Sequence, residues 1–83
     1  MKPIPAVVRA AVVLRDGGCC VLCGGRDAQH CHHLRSRGAG GGMSPDNLVM
    51  LCVVCHARVH ADPDAKRALM AECRRRGILP QEA

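Results

Sequence analysis

Seven cysteines and five histidines supply most of the chemistry that this sequence offers. Four of the cysteines form two Cys-x-x-Cys pairs, Cys20 with Cys23 and Cys52 with Cys55. A two-residue spacer lets one tight turn present two sulfurs to one ion, and tetrahedral zinc accepts four thiolates. The two pairs therefore predict one structural zinc site. Cys19 is a possible substitute for Cys20, although a three-residue spacer is the less usual choice.

The other cysteines do not indicate a disulfide framework. Cys31 and Cys73 have no partner at ligand spacing, and we expect both to be small buried apolar side chains. The N-terminal apolar run is interrupted by Arg9 and lacks a small-residue cleavage site, so it does not fit a signal peptide. An odd cysteine count without an export signal favours a reducing compartment. We therefore expect a cytoplasmic protein.

The histidines predict a second metal site. His56 and His60 are four residues apart in a segment with helical character, so both imidazoles lie on one helical face. A third imidazole on a facing strand, from the adjacent His32 and His33, would complete a site with positions open for water or a phosphate oxygen. The joint occurrence of these histidines between and beside the Cys-x-x-Cys pairs is what makes the pattern informative.

Composition limits the classes of protein that fit. With 83 residues and 8.8 kDa there is room for one domain, and without Phe, Tyr or Trp its core would be marginal. Bound metal would compensate for such a core. The longest apolar stretch, residues 48–55, is too short to cross a membrane. The formal charge of +5 favours a polyanionic partner, and the arginines that flank the histidines are candidate phosphate contacts. These are Arg35, Arg37 and Arg58.

The elements that must hold these residues form a small α+β domain. Helix-start and helix-stop residues such as Pro5 and Gly77 mark the flanking helices, and NLVML is a compact strand candidate. The zinc knuckle follows the first helix, and a glycine-rich segment separates the two strands. The predicted order is helix 5–15, knuckle 19–25, strand 30–34, strand 47–51, helix 53–61 and helix 63–76.

Four segments resemble the HNH, or ββα-metal, nuclease family, in the small phage or bacterial type with two zinc-binding Cys-x-x-Cys pairs. They are RDGGCCVLCGG, CHHLRSRG, SPDNLVMLCVVCH and RVH. The resemblance implies one nuclease domain over residues 1–83, with a ββα-metal core at about 16–63 between the two flanking helices. The three letters of the family name fall on His33, Asn47 and His56.

The resemblance also implies a role for each site residue. His33 would be the general base, and Asn47 would constrain the loop of the ββα unit. His32 and His56, with His60 as in the colicin-type domains, would bind one catalytic divalent ion, which could be Mg²⁺, Mn²⁺, Zn²⁺ or Ni²⁺. The alignment favours this register, but His32 and His33 are adjacent and their roles could be exchanged. The implied activity is metal-dependent cleavage or nicking of DNA.

Two other functions remain open at the level of sequence. A non-catalytic zinc-ribbon module that binds nucleic acid would carry the same four cysteines and the same charge, but it has no reason to carry the histidines. Alternatively, the domain could nick or process DNA within a larger phage or bacterial complex, together with partner proteins. Arg58 lies about 200° around the helix from His56, so we expect it to bind DNA rather than take part in chemistry.

Overall fold

The computed structural model describes residues 3–35 and 42–78. In these residues it contains three helices, two strands and one 3₁₀ turn, which confirms the small α+β class. The elements are α1 (Ala6–Asp16), β1 (His30–His33), the 3₁₀ turn (Pro45–Asn47), β2 (Leu48–Leu51), α2 (Val53–Ala61) and α3 (Pro63–Arg75). The predicted strands were each one residue too long, since Leu34 follows β1 and Asn47 belongs to the turn.

The two strands form an antiparallel hairpin that is packed on both faces. His32 pairs with Val49, and His33 pairs with Leu48. Every side chain of β2 is buried, which explains its uninterrupted apolar sequence. Because side chains alternate along a strand, Leu48 and Met50 pack with Val12 of α1, while the two residues between and after them face α2 and α3. The hairpin is therefore the centre of the aromatic-free core.

The buried carboxylate of Asp16 and its ion-pair partner Arg15 close the edge of β2 that β1 leaves open. The Asp16 carboxylate accepts a hydrogen bond from the Met50 backbone N–H at 2.9 Å and is paired with Arg15 at 2.8 Å. Arg15 also donates to the Leu48 carbonyl at 2.6 Å, and Val21 N–H donates to the Met50 carbonyl at 2.9 Å. An open strand edge would leave polar backbone groups without partners. The end of α1 is thus tied to the hairpin by side-chain chemistry as well as by packing.

The helix ends explain how α2 and α3 meet. The Asp62 carboxylate accepts from the Asp64 backbone N–H at 2.9 Å, and Pro63 occupies the first turn of α3. Gly77 adopts a left-handed conformation (φ 76°) and terminates α3. Between these ends, Leu69 of α3 lies in the same buried cluster as Val59 of α2. The short connection and this contact hold the start of α3 beside the end of α2, which carries His60.

Candidate metal centres

The four paired cysteines converge on one point. Their sulfur atoms all lie within 4.8 Å of one another, and the Sγ atoms of Cys23 and Cys52 are 3.8 Å apart. Zn–S bonds of about 2.3 Å in a tetrahedron separate two sulfurs by about 3.8 Å. Cys20, Cys23, Cys52 and Cys55 are therefore positioned to bind a zinc ion. Cys19 is not part of this group; its Sγ lies 3.5 Å from the Gly17 carbonyl oxygen.

Backbone N–H groups shape both halves of this cysteine group. Cys23 N–H points to the Cys20 sulfur at 3.5 Å, and Cys55 N–H points to the Cys52 sulfur at 3.4 Å. Burial acts to raise the pKa of Cys20, but hydrogen bonds from Cys23 and Cys52 outweigh it and lower that pKa to about 7. Burial, with neighbouring sulfurs, raises the pKa of Cys55. Four adjacent thiolates need a cation between them, so ion binding and thiol deprotonation are coupled.

Three histidines form a second group. The ligand nitrogens of His32, His56 and His60 lie within 4.8 Å of one another, and the Nε2 atoms of His56 and His60 are 3.1 Å apart. Two nitrogens that bind one ion at about 2.1 Å are separated by about 3.0 to 3.4 Å in octahedral or tetrahedral geometry. The helical pair and the strand histidine therefore fit one divalent ion. The structure places His32, and not His33, in this group.

The environment of the group lowers the pKa of two of its imidazoles, those of His32 and His56. Burial, followed by the charges of the neighbouring histidines, lowers the pKa of His32 to about 4, and Lys66 adds to this effect. Burial, His60 and His30 lower the pKa of His56. A neutral imidazole is the form that binds a metal ion. Because the group contains no carboxylate, an ion bound there would keep its full positive charge.

His33 borders the same cavity as two members of the histidine group, His32 and His60. The cavity has a volume of about 620 Å³ and is lined by β1, the residues after it, the end of α2 and the start of α3. His32, His33 and His60 all contribute to its wall, together with Arg35 and Lys66. Adjacent residues of a strand, such as His32 and His33, point their side chains to opposite faces. Both nevertheless border one cavity, at the point where β1 ends.

Asn47 ties together the two sides of the segment that connects the strands. Its Oδ1 accepts from the Arg35 backbone N–H at 2.8 Å, and its Nδ2 donates to the carbonyls of Arg35 and Gly42, each at 2.9 Å. Leu34 N–H also donates to the Asn47 carbonyl at 2.8 Å. The side chain is 3% exposed. This geometry holds the chain immediately after His33 in one place.

The three candidate DNA-contacting arginines differ in position. Arg35 is half-buried and lines the cavity. Arg58 is exposed on α2 and is not part of the cavity wall. Arg37 lies outside the described residues, so its place relative to the site stays a prediction.

Sequence reasoning gave no site role to two residues that the structure places beside the histidine group. The His30 ring lies 4.7 Å from the His56 ring, between centroids. His30 precedes His32 by two, and strand periodicity could have placed both on one face. Lys66 of α3 lines the cavity. Its position depends on the angle between α2 and α3, for which the sequence carries no simple signal.

A two-stranded hairpin followed by a helix forms a ββα unit, and this unit carries a cysteine group and a histidine group that could each hold a metal ion. The sequence model of the HNH endonuclease family matches residues 20–62, slightly more than half of the chain. The chain therefore belongs to the HNH endonuclease family, and the family suggests nuclease activity. No curated protein matches the chain. The matched residues include both metal groups and Asn47 but not α1 or α3.

None of the helices in the described part of the chain is both long and apolar enough to cross a bilayer.

Proposed function

We propose that this chain is a metal-dependent DNA endonuclease, which hydrolyses phosphodiester bonds. Residues 1–83 would form a single nuclease domain whose core is at about 16–63. One observation carries the proposal most directly. His32 and His60 line one open cavity together with a further histidine, His33. The nitrogens of His32 and His60 also form a metal-competent group with that of His56. A structural zinc module needs only the cysteines, whereas hydrolysis of a phosphodiester needs a base and a site for a second ion.

The chain's own residues would divide the work as follows. His33 takes the proton from the attacking water, as a neutral imidazole can do near neutral pH. His32, His56 and His60 hold a divalent ion that, when bound, stabilises charge on the phosphate and the leaving oxygen. Asn47 keeps the chain after His33 in place through its hydrogen bonds to Arg35 and Gly42. A base held in one position loses less activity to misorientation.

The charge of the cavity supports an anionic substrate. Arg35 and Lys66 belong to its wall, and none of the described residues that line it is Asp or Glu. The formal net charge of the chain is +5. Cations that converge on a site without carboxylates favour a phosphate group over a neutral or cationic ligand. Arg35, Arg58 and Arg37 are the arginines that we propose contact DNA.

The identity of the second ion follows from its ligands only in part. Three imidazoles bind late transition metals such as Ni²⁺ and Zn²⁺ most tightly, whereas Mg²⁺ and Mn²⁺ depend on availability. We propose that the protein acts in the cytoplasm of a bacterium or of a phage-infected cell, alone or with partner proteins that process DNA.

A plasmid assay tests the proposal. The zinc-loaded protein is incubated with supercoiled DNA and Mg²⁺, Mn²⁺, Ni²⁺ or excess Zn²⁺, with EDTA as the control. We expect nicked or linear product with at least one ion. His33→Ala should retain zinc, the second ion and DNA binding, yet cut about a hundredfold more slowly, since a general base contributes about that much.

His30→Ala is the matched control, because it removes an imidazole from the same strand but from outside the ligand group. It should lose less than about tenfold in rate, because it takes no part in proton transfer. One bound ion per chain and no cleavage with any metal would instead identify a zinc-ribbon module that only binds nucleic acid. Equal losses in the two variants would show that His33 is not the base.

A further inference from the structure

Lys66 borders the histidine cavity although it lies outside the part of the chain that defines the family. The family match ends at residue 62, and Lys66 lies in the first turns of α3. It shares the cavity wall with His32, His33 and His60. A cation at this place therefore comes from an element that the ββα unit itself does not contain.

The charge of Lys66 is not neutralised by a carboxylate in the described part of the chain. The other cations of α3 that form ion pairs do so along the helix: Arg67 with Asp64, and Arg75 and Arg76 with Glu72. No ion pair joins Lys66 to residues 3–35 or 42–78. Lys66 is also close enough to His32 for its charge to disfavour protonation of that imidazole. Its ammonium is thus available to a ligand in the cavity.

The backbone that carries Lys66 is held firmly. The Lys66 N–H donates to the Asp62 carbonyl at 3.1 Å, as part of the first turn of α3. The preceding residue, Ala65, is buried in the same cluster as Val59 of α2 and Leu69. The helix start and the burial of Ala65 therefore fix the backbone of Lys66 relative to α2, which carries His60. The exposed side chain of Lys66 can adjust to a ligand.

The residues that line the cavity favour an anionic ligand. They include metal-binding imidazoles, an arginine and a lysine that has no ion-pair partner among the described residues. A divalent ion held by uncharged imidazole ligands would add two positive charges beside the Lys66 ammonium. Without an acidic residue among the described lining residues, these charges repel one another until an anion lies between them. A lysine ammonium is a compact point charge with three donors, suited to a single phosphate oxygen.

We propose that the Lys66 ammonium binds a non-bridging oxygen of the phosphodiester that occupies the histidine cavity. Lys66 would then be a substrate-binding residue that α3 adds to the ββα unit. The inference rests on the proposed nuclease function, because it assigns the anion in the cavity as the backbone of DNA.

The test compares Lys66→Ala with Arg67→Ala. Both variants remove one positive charge from neighbouring, exposed positions of α3, but Arg67 is paired with Asp64 and does not line the cavity. Cleavage of a fluorescent DNA duplex gives kcat and KM, and anisotropy of a labelled duplex without the second ion gives the affinity at several salt concentrations. Zinc content and Mn²⁺ titration verify that both metal groups are intact.

Lys66→Ala should lower kcat/KM about tenfold or more, the usual effect of losing a hydrogen bond to a charged group. The slope of log affinity against log salt should fall by about one phosphate contact. Lys66→Arg should recover most of the activity, and Arg67→Ala should stay within about twofold of the wild type, as expected of an exposed position. A merely structural role for Lys66 would leave the salt slope unchanged.

Two outcomes would overturn different statements. If the wild type cuts DNA and Lys66→Ala matches Arg67→Ala in kcat/KM and in salt slope, the Lys66 assignment is wrong and the nuclease function stands. If the wild type cuts no DNA with any ion, the nuclease function is wrong. The salt slopes then decide separately whether Lys66 contacts a phosphate.

Discussion

Replacing Asn47 should destabilise the domain out of proportion to the size of the side chain. Asn47→Ala removes three hydrogen bonds of 2.8 to 2.9 Å and leaves the Arg35 N–H and two carbonyls without that partner. Each such bond contributes about 0.5 to 1.5 kcal/mol net. The expected loss in free energy of unfolding is therefore about 2 to 4 kcal/mol, a large share of the stability of a small domain.

Asn47→Asp separates hydrogen-bond chemistry from shape. Aspartate has nearly the same outline and can still accept from the Arg35 N–H. It cannot donate to the carbonyls of Arg35 and Gly42, and it places a second acceptor against them. A buried carboxylate without donors costs more than a missing side chain. We therefore expect Asn47→Asp to be at least as unstable as Asn47→Ala at neutral pH, and to recover partly in acid, where the carboxyl group can donate.

Urea unfolding followed by circular dichroism measures these losses. Free zinc must be buffered at one concentration, because zinc that binds only the folded chain contributes to the apparent stability. The exposed neighbour in the same turn provides the control, and Asp46→Ala should stay within about 0.5 kcal/mol of the wild type. Asn47→Ala within that margin, or Asn47→Asp more stable than Asn47→Ala at neutral pH, would refute the reasoning from these hydrogen bonds.

Three further predictions concern the metal groups and the DNA contact. Cys55→Ser should lose zinc and most of its helical circular dichroism signal at 37 °C, because ion binding supplies much of the folding free energy. The control variant Cys19→Ser should keep both. A Cys55→Ser protein that folds without zinc would contradict the prediction. His56→Ala should keep zinc but show no tight site in calorimetric titration with Mn²⁺ or Ni²⁺; wild-type binding would move the second site elsewhere. Arg58→Ala should weaken DNA binding and lower the salt slope by about one contact; an unchanged slope with a collapsed kcat would show that Arg58 acts in chemistry.

The cysteine group and the histidine pair were predictable because local spacing determines their geometry. Two residues between cysteines suffice for a turn that presents both sulfurs, and four residues along a helix place His56 and His60 on one face. Apolar alternation was not needed to find β2, since its four residues are all apolar and all buried. The resemblance to the HNH family added the expectation that His32 of β1 joins His56 and His60 in one site.

The features that sequence reasoning missed depend on contacts between distant elements. Asp16 reads as the end of a helix, yet its carboxylate completes the edge of β2 thirty-four residues later. Lys66 reads as an ordinary exposed helical lysine, and only the packing of Val59 against α3 turns it towards the cavity wall. Tertiary packing sets such angles, and neither periodicity nor capping residues encode them locally.

The hydrogen bonds of Asn47 also bear on how this domain can diversify. One buried amide holds both Arg35 and Gly42, so the hydrogen bonds of Asn47 fix the two ends of the connection between them. In general, doubling the length of a connection between fixed ends costs only about 0.6 kcal/mol. We therefore expect that a connection of different length or sequence can replace this one, over evolution or by design, while the histidines keep their positions. If the chain binds DNA as proposed, its DNA preference can change in this way while the proposed metal ligands stay the same.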